Sequence, residues 1–314
     1  MKNRGIAIWT VAGVLLAASA LAQAQNPGGQ GRAVVTVLPK HHNELAPNIT
    51  LQDLTVKVNG KEATVSAWVP LQSAEDKLEL MLLIDGAANN LNSSQFNELQ
   101  EFILGLTSNT KVAIGYMENG HAVLAGPLSA DRAQVVRGIH LPGGTNGSTG
   151  GPYFSLSGLA KNWPSTDRGA RHEVVLVTDG MDPYNPRYDP SNVYVQSAIN
   201  DAVRAGLVVY SIYWMSRNNS NGMSEEAAGG QSYLVDLTRS TGGYSYQAGT
   251  SNPVSFSSFL RDLSLRLDNQ YELAFTTRLD RKPEVETLKV KVSGPAEVDA
   301  PERVFVDRPG IATK

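Results

Sequence analysis

Three stretches of this chain are apolar with almost no interruption: residues 78–84 (Leu-Glu-Leu-Met-Leu-Leu-Ile), 173–178 (Glu-Val-Val-Leu-Val-Thr) and 207–214 (Leu-Val-Val-Tyr-Ser-Ile-Tyr-Trp). A strand with apolar side chains on both faces has to be covered on both, and the usual cover is helices packed on a parallel sheet. Helical periodicity lies between these runs, first at Phe96, Leu99, Phe102, Ile103 and Leu106. Further strands are expected at 112–116 and 122–124, and helices near 131–139, 153–162, 193–205, 224–240 and 255–268. The alternation predicts an α/β fold built on a doubly wound, mostly parallel sheet over residues 75–270.

The flanks have a different texture. Short β-type runs at 33–38, 54–58 and 63–69 precede the α/β segment, and others at 271–277, 288–292 and 303–306 follow it. Asn59-Gly60 between two such runs is a hairpin signal, because both residues tolerate the positive φ of a tight turn. Two or three strands make a poor sheet alone. The flanks 33–70 and 271–308 are therefore expected to form one small all-β module, a β-sandwich in which the sheet of one flank faces that of the other at about 10 Å. The α/β domain is inserted between them. Residues 25–32, made of Gly, Gln, Asn, Pro and Arg, read as a polar linker.

At the N-terminus, Lys2 and Arg4 precede an apolar core that ends in small residues near Ala22 and Ala24, so residues 1–24 read as a signal peptide. No later stretch is apolar enough to span a bilayer, which predicts an exported protein, periplasmic or extracellular, without stable membrane insertion. The 314 residues contain no cysteine, which excludes disulfides, thiolate metal sites and a cysteine nucleophile. With 27 basic against 30 acidic residues and a net charge of −3, the chain shows no footprint for nucleic acid.

In an open α/β sheet, ligands meet the carboxyl ends of the strands. Asp85 ends the first apolar run and Asp179 follows the run at 173–178. Two carboxylates on one rim call for a proton, a donor or a hard cation between them. The segments Met81-Leu-Leu-Ile-Asp85, Gly143-Gly144-Thr145 and Val177-Thr178-Asp179-Gly180 resemble the three metal-site segments of von Willebrand factor A (VWA) domains. The flanks, including Asn269-Gln270-Tyr271, resemble a secreted, acidobacterial-type subgroup of VWA-related proteins. The resemblance implies a Rossmann-like core whose Mg²⁺ ion is held by an Asp-x-Ser-x-Ser motif, a loop Thr and a later Asp. Here the first motif reads Asp85-Gly86-Ala87-Ala88-Asn89, and Ala87 brings no ligand. A degenerate metal-ion-dependent adhesion site of Asp85, Asn89, Thr145 and Asp179 is expected, binding Mg²⁺ weakly or not at all. The bland alternative is that both aspartates serve as backbone caps.

The segment after Asp179 carries Asp182, Tyr184, Arg187 and Tyr188, residue types suited to recognition by a protein partner. The Gly-rich loop after Gly143 lacks the Lys-Ser/Thr ending of a phosphate-binding loop, and His41, His42, His121, His140 and His172 show no ligand spacing. Tyr210, Tyr213 and Trp214 read as core packing. Two functions follow: a non-catalytic binding or scaffolding protein, and as alternative a metal-assisted hydrolase using the same carboxylates.

Overall fold

The computed structural model describes residues 28–41, 44, 47–88, 90–141, 151–185, 187–215, 225–249, 251–278 and 284–308, with 225–227 in backbone only. The first flank forms β1 (Gly28–Pro39), β2 (Leu54–Val58), β3 (Lys61–Glu62) and β4 (Thr64–Pro70). The α/β segment begins with β5 (Leu78–Asp85), α1 (Ser93–Gly105), β6 (Thr110–Glu118), β7 (His121–Leu124), α2 (Arg132–Val136) and α3 (Pro152–Lys161). It continues with β8 (Arg171–Thr178), α4 (Val193–Arg204), β9 (Val208–Tyr213), α5 (Glu225–Thr241), β10 (Ser245–Tyr246) and α6 (Ser257–Leu267). The second flank supplies β11 (Gln270–Arg278), β12 (Glu284–Val292), β13 (Ala296–Asp299) and β14 (Arg303–Asp307).

The α/β sheet has the order β10-β9-β8-β5-β6-β7, parallel except that β7 runs antiparallel to β6. The order is that of the Rossmann doubly wound fold, in which the chain winds outwards from the centre in two directions. Every residue of β5 is buried, and its side chains divide strictly by parity. Leu80, Leu82 and Ile84 join α1 and α6 on one face, through Leu99, Ile103, Leu260 and Leu263. Met81 and Leu83 join α3, α4 and α5 on the other, through Leu156, Ile199 and Leu237. Such a strand has no solvent face, and truncating Leu82 to Ala would cost about 2–5 kcal/mol. Helix α1 starts where Asn92 Oδ1 accepts the Ser94 amide (2.8 Å) and Gln95 Oε1 accepts the Asn92 amide (3.2 Å), a reciprocal cap.

The flanking strands join in one curled sheet of order β3-β2-β12-β14-β1-β11-β4, with β13 also paired to β1. This corrects the expected sandwich of one flank facing the other. Strands of the two flanks interleave edge to edge: β11 lies between β1 and β4, and β12 pairs with β14 over its first half and with β2 over its second. Edge pairing satisfies the backbone donors and acceptors of both flanks, which two separate short sheets would leave open. The curl still gathers one core, in which Val35, Val37, Val56, Val58, Leu273, Phe275 and Val306 pack together. The hairpin at Asn59 (φ 50°) and Gly60 (φ 76°) forms as read, with Val58 opposite Lys61.

The linker expected at 25–32 is also corrected over its described part, since residues 28–32 extend β1, with Gly28 opposite Arg278. The glycines that suggested a tether are a packing device. Gly31 sits opposite Phe275, whose ring lies where a Cβ at Gly31 would be, 2.4 Å from the nearest ring carbon.

Two connections cross between the sheets, one after β4 and one after α6. Arg171, at the start of β8, donates to the Leu71 carbonyl in the first (3.3 Å) and to the Leu267 carbonyl at the second (3.1 Å), while its Nε meets Glu173 (3.2 Å). Glu173 is fully buried, and burial raises its pKa against the lowering effect of Arg171. Arg266 of α6, also buried, bonds Asp262 and reaches Asp299 on β13, tying the α/β domain to the curled sheet a second time.

Candidate functional site

β5 and β8 are adjacent and in register, Ile84 opposite Val177, so their carboxyl ends place Asp85 and Asp179 together at the point where the strand order reverses. Asp85 is 3 % exposed. Its Oδ2 accepts the Thr178 hydroxyl at 2.6 Å and its Oδ1 the Ala87 amide at 2.9 Å. Burial, and then the negative charge of Asp179, push its carboxyl up to about 7. Asp179 accepts the Met181 amide at 3.0 Å. Thr178 in turn accepts the Gly180 amide at 3.1 Å, so the strand end and its turn are bonded as one unit.

The backbone of this turn is fixed from behind by α5. Gly180 has φ 69°, and a Cβ on Gly230 of α5 would lie 2.3 Å from the Asp179 carbonyl oxygen. The helix approaches so closely that only glycine fits. From α3, the Tyr153 hydroxyl donates to the Gly180 carbonyl at 2.6 Å, and burial holds that phenol well above its ordinary pKa.

Of the residues assigned to the adhesion site, Asp85 and Asp179 are brought together, whereas Asn89 and Thr145 lie outside the described residues. Ala87 contributes its amide to Asp85 and has no side-chain oxygen. The oxygen-only pair suits a hard cation, because a carboxylate raised by burial and a like neighbour gains from positive charge between them. Among the described residues no three His, Cys, Asp or Glu side chains gather in a metal-holding group.

The four residues assigned to partner recognition separate into two kinds. Asp182 is 2 % exposed; its carboxylate accepts the Tyr184 amide (3.0 Å) and the Asn192 side-chain amide (2.9 Å), and Asn192 caps α4. It braces the loop and does not face a partner, a correction that follows from the cost of leaving a carboxylate buried without donors. Tyr184, Arg187 and Tyr188 are exposed. The far end of the loop is held by Tyr233 of α5, whose hydroxyl accepts the Asp189 amide (2.7 Å) and donates to the Asp189 carbonyl (3.0 Å).

Two residues that the sequence reading passed over complete the surface. Phe154 of α3 and Tyr194 of α4 lie with Tyr184 in a mutual cluster, ring centroids 5.0 Å (Phe154 to Tyr184), 4.9 Å (Phe154 to Tyr194) and 6.5 Å (Tyr184 to Tyr194) apart. All three are more than a third exposed, and Val193 beside them is 66 % exposed. The Asn119-Gly120 tip of the β6–β7 hairpin sits against Phe154. The signal available was Val193-Tyr194 directly after a capping Asn, apolar residues on a first helical turn that a burial pattern does not require. Two of the described histidines serve packing: His140 stacks on Tyr116, and His172 stacks on Trp163 near the amino end of β8.

No family model and no curated protein matches the chain. Among solved structures, it is similar to BatB from Bacteroides thetaiotaomicron, a conserved hypothetical protein (12 % identity, 60 % of this chain and 97 % of that one, TM-score 0.45). It is similar to the pilus adhesin SpaC from Lactobacillus rhamnosus GG (10 %, 87 % and 49 %, TM-score 0.46). It is also similar to the SpRpn10 VWA domain (11 %, 60 % and 95 %, TM-score 0.40). Likenesses this distant carry nothing about function.

Proposed function

We propose that this chain is an exported VWA-type binding protein that holds a protein partner on the rim at the carboxyl ends of its parallel strands, with Asp85 and Asp179 as the remnant of a metal-ion-dependent adhesion site. The observation that carries this reading is the exposed cluster of Phe154, Tyr184 and Tyr194 beside two nearly buried carboxylates at the switch point of the sheet. Exposed aromatic groups on a rigid frame are efficient anchors, since little conformational freedom is lost on docking. The loop is held at Gly180, Asp182 and Asp189 before any partner arrives.

An ion at the site, if bound, would be held by Asp85 and Asp179 and would offer a positive charge to an acidic group of the partner. The rest of the recognition belongs to the chain: aromatic contact from Phe154, Tyr184 and Tyr194, and a cationic head from Arg187. No helix among the described residues is long and apolar enough to cross a membrane. Export rests on the segment 1–24, which lies outside the described residues. The reading is of a binder and not a catalyst.

Capture from the exported fraction of the native cells tests it, comparing the wild type with a Tyr184→Ala, Tyr194→Ala variant. A partner retained by the wild type and lost by the variant, with unchanged thermal stability, supports the rim. Equal retention by both proteins overturns it. Addition of a chelator reports the ion: loss of capture assigns it a direct part, and unchanged capture leaves the aromatic surface as the anchor.

A further inference from the structure

At the opposite pole from the aspartates, a cleft of about 350 Å³ opens between the α/β domain and the curled sheet. Its walls come from β1, from the crossing segment after β4 at Leu71, from the loop that leads into β8 at Arg171, from the turn between α4 and β9, and from β14. The volume falls in the range of small-molecule sites. The lining is two-sided. Ala33, Val34, Leu71 and Ala205 are partly exposed and supply apolar surface, with Leu207, Val208 and Val304 buried behind them.

The charge of the cleft runs against the charge of the chain. Arg32, Lys77, Arg168, Arg171 and Arg303 line it against the carboxylates Asp76 and Glu272 alone, in a protein of net charge −3. Three of these cations are engaged by the fold. Arg171 is bound to Glu173 and two carbonyls, Lys77 meets Asp167 at 2.9 Å, and Arg303 donates to Gln196 at 2.9 Å. Arg32 has only a 3.7 Å approach to Glu272 with its side chain 80 % exposed, and Arg168 has no hydrogen bond or ion pair among the described residues. Two guanidinium groups are thus available beside an apolar floor, and guanidinium is the side chain best suited to grip a carboxylate through two parallel donors.

We infer that this cleft is a binding site for a small amphipathic organic acid, its carboxylate taken by Arg168 and Arg32 and its apolar body laid on Ala33, Val34 and Leu71. A ligand there touches both the inserted domain and the sheet that carries it. Binding therefore fixes their relative orientation as well as holding the acid. The site is independent of the rim, so it stands or falls separately from the proposed partner binding.

Titration calorimetry on the full chain with octanoate as probe tests the assignment, with octan-1-ol as a neutral analogue and inorganic phosphate as an anion without an apolar body. One-to-one saturable binding of octanoate is expected, weakened about tenfold or more in an Arg168→Ala, Arg32→Ala variant, as the loss of charge-assisted hydrogen bonds implies. Octan-1-ol is expected to bind at least about tenfold more weakly, since it lacks the charge. Both arginines are on the surface, so the variant folds, and an unchanged melting temperature without ligand verifies this. Absence of saturable octanoate binding, equal binding by the variant, or phosphate binding as tight as octanoate would each overturn the inference.

Discussion

Replacing Asp85 by Asn isolates the energetic consequence of placing two carboxylates at one buried rim. The Asp85 carboxyl is moved from its ordinary 3.8 to about 7 by burial and by the charge of Asp179. A folded-state pKa raised above the unfolded value means the group favours folding below pH 3.8 and loses that contribution as pH rises through 7. The ionised form therefore costs the folded protein about 4 kcal/mol at pH 8, an order-of-magnitude figure from about 3 pKa units at 1.36 kcal/mol each. The Asp85→Asn change removes the charge, but the amide cannot accept from both Thr178 and Ala87, which costs about 1 kcal/mol for one hydrogen bond. In a chelating buffer at pH 8, the variant should be more stable than the wild type by about 3 kcal/mol, or roughly 5–10 °C in melting temperature. At pH 4, where the folded Asp85 carboxyl is protonated and, like the amide, keeps one carbonyl acceptor, the two proteins should be within about 1 kcal/mol of each other. Scanning calorimetry across pH 4–8 reads the growth of the difference with pH. A variant less stable than the wild type at pH 8 without divalent ions would refute the account of Asp85 as a buried charge whose two hydrogen bonds do not offset its burial.

Three further outcomes are expected. Ala87→Ser with Asn89→Ser restores two oxygen ligands in the spacing of the VWA motif and should strengthen Mg²⁺ or Mn²⁺ binding measured by calorimetry; a folded double variant that binds no better means the motif is misassigned. Gly31→Leu places a side chain where the Phe275 ring lies, and should destabilise the protein by about 1–3 kcal/mol in urea titration. Deleting residues 271–314 removes β11, which bonds both β1 and β4, so limited proteolysis should cut the N-terminal strands while the α/β core persists; continued protection would mean that those strands are held some other way.

The doubly wound sheet was legible because β5, β8 and β9 are apolar on both faces, a pattern with few other solutions. Asp85 and Asp179 were legible as strand-end carboxylates for the same reason. The curled sheet was harder. Alternation in Val35, Val37 and Leu273, Phe275 reveals which side chains face a core, but it is silent on which edge pairs with which, because backbone hydrogen bonds carry no sequence signature. Residues 28–32 were misread because glycine in a linker and glycine under a cross-strand aromatic ring look alike until the partner, Phe275, is placed. Asp182 misled in a related way. A carboxylate in a loop reads as exposed, and only the cap of α4 by Asn192 shows why it is buried. The β6–β7 hairpin, by contrast, carried the same Asn-Gly signal at Asn119-Gly120 as the turn at Asn59-Gly60, and both pairs have positive φ.

The insertion of the α/β domain between β4 and β11 also decides how the molecule carries tension. A domain strung on a chain hangs from one covalent connection, and pulling on it feeds the whole load into one terminus, from which it can unravel residue by residue. Here a pull between the rim and the curled sheet divides over two polypeptide strands, and Arg171 bonds a carbonyl in each of them. The inserted domain presents no loose end to peel. Its two ends continue into β4 and β11, which are hydrogen bonded to each other from Tyr271 opposite Pro70 to Thr276 opposite Thr64, so the sheet must shear before either connection can slacken.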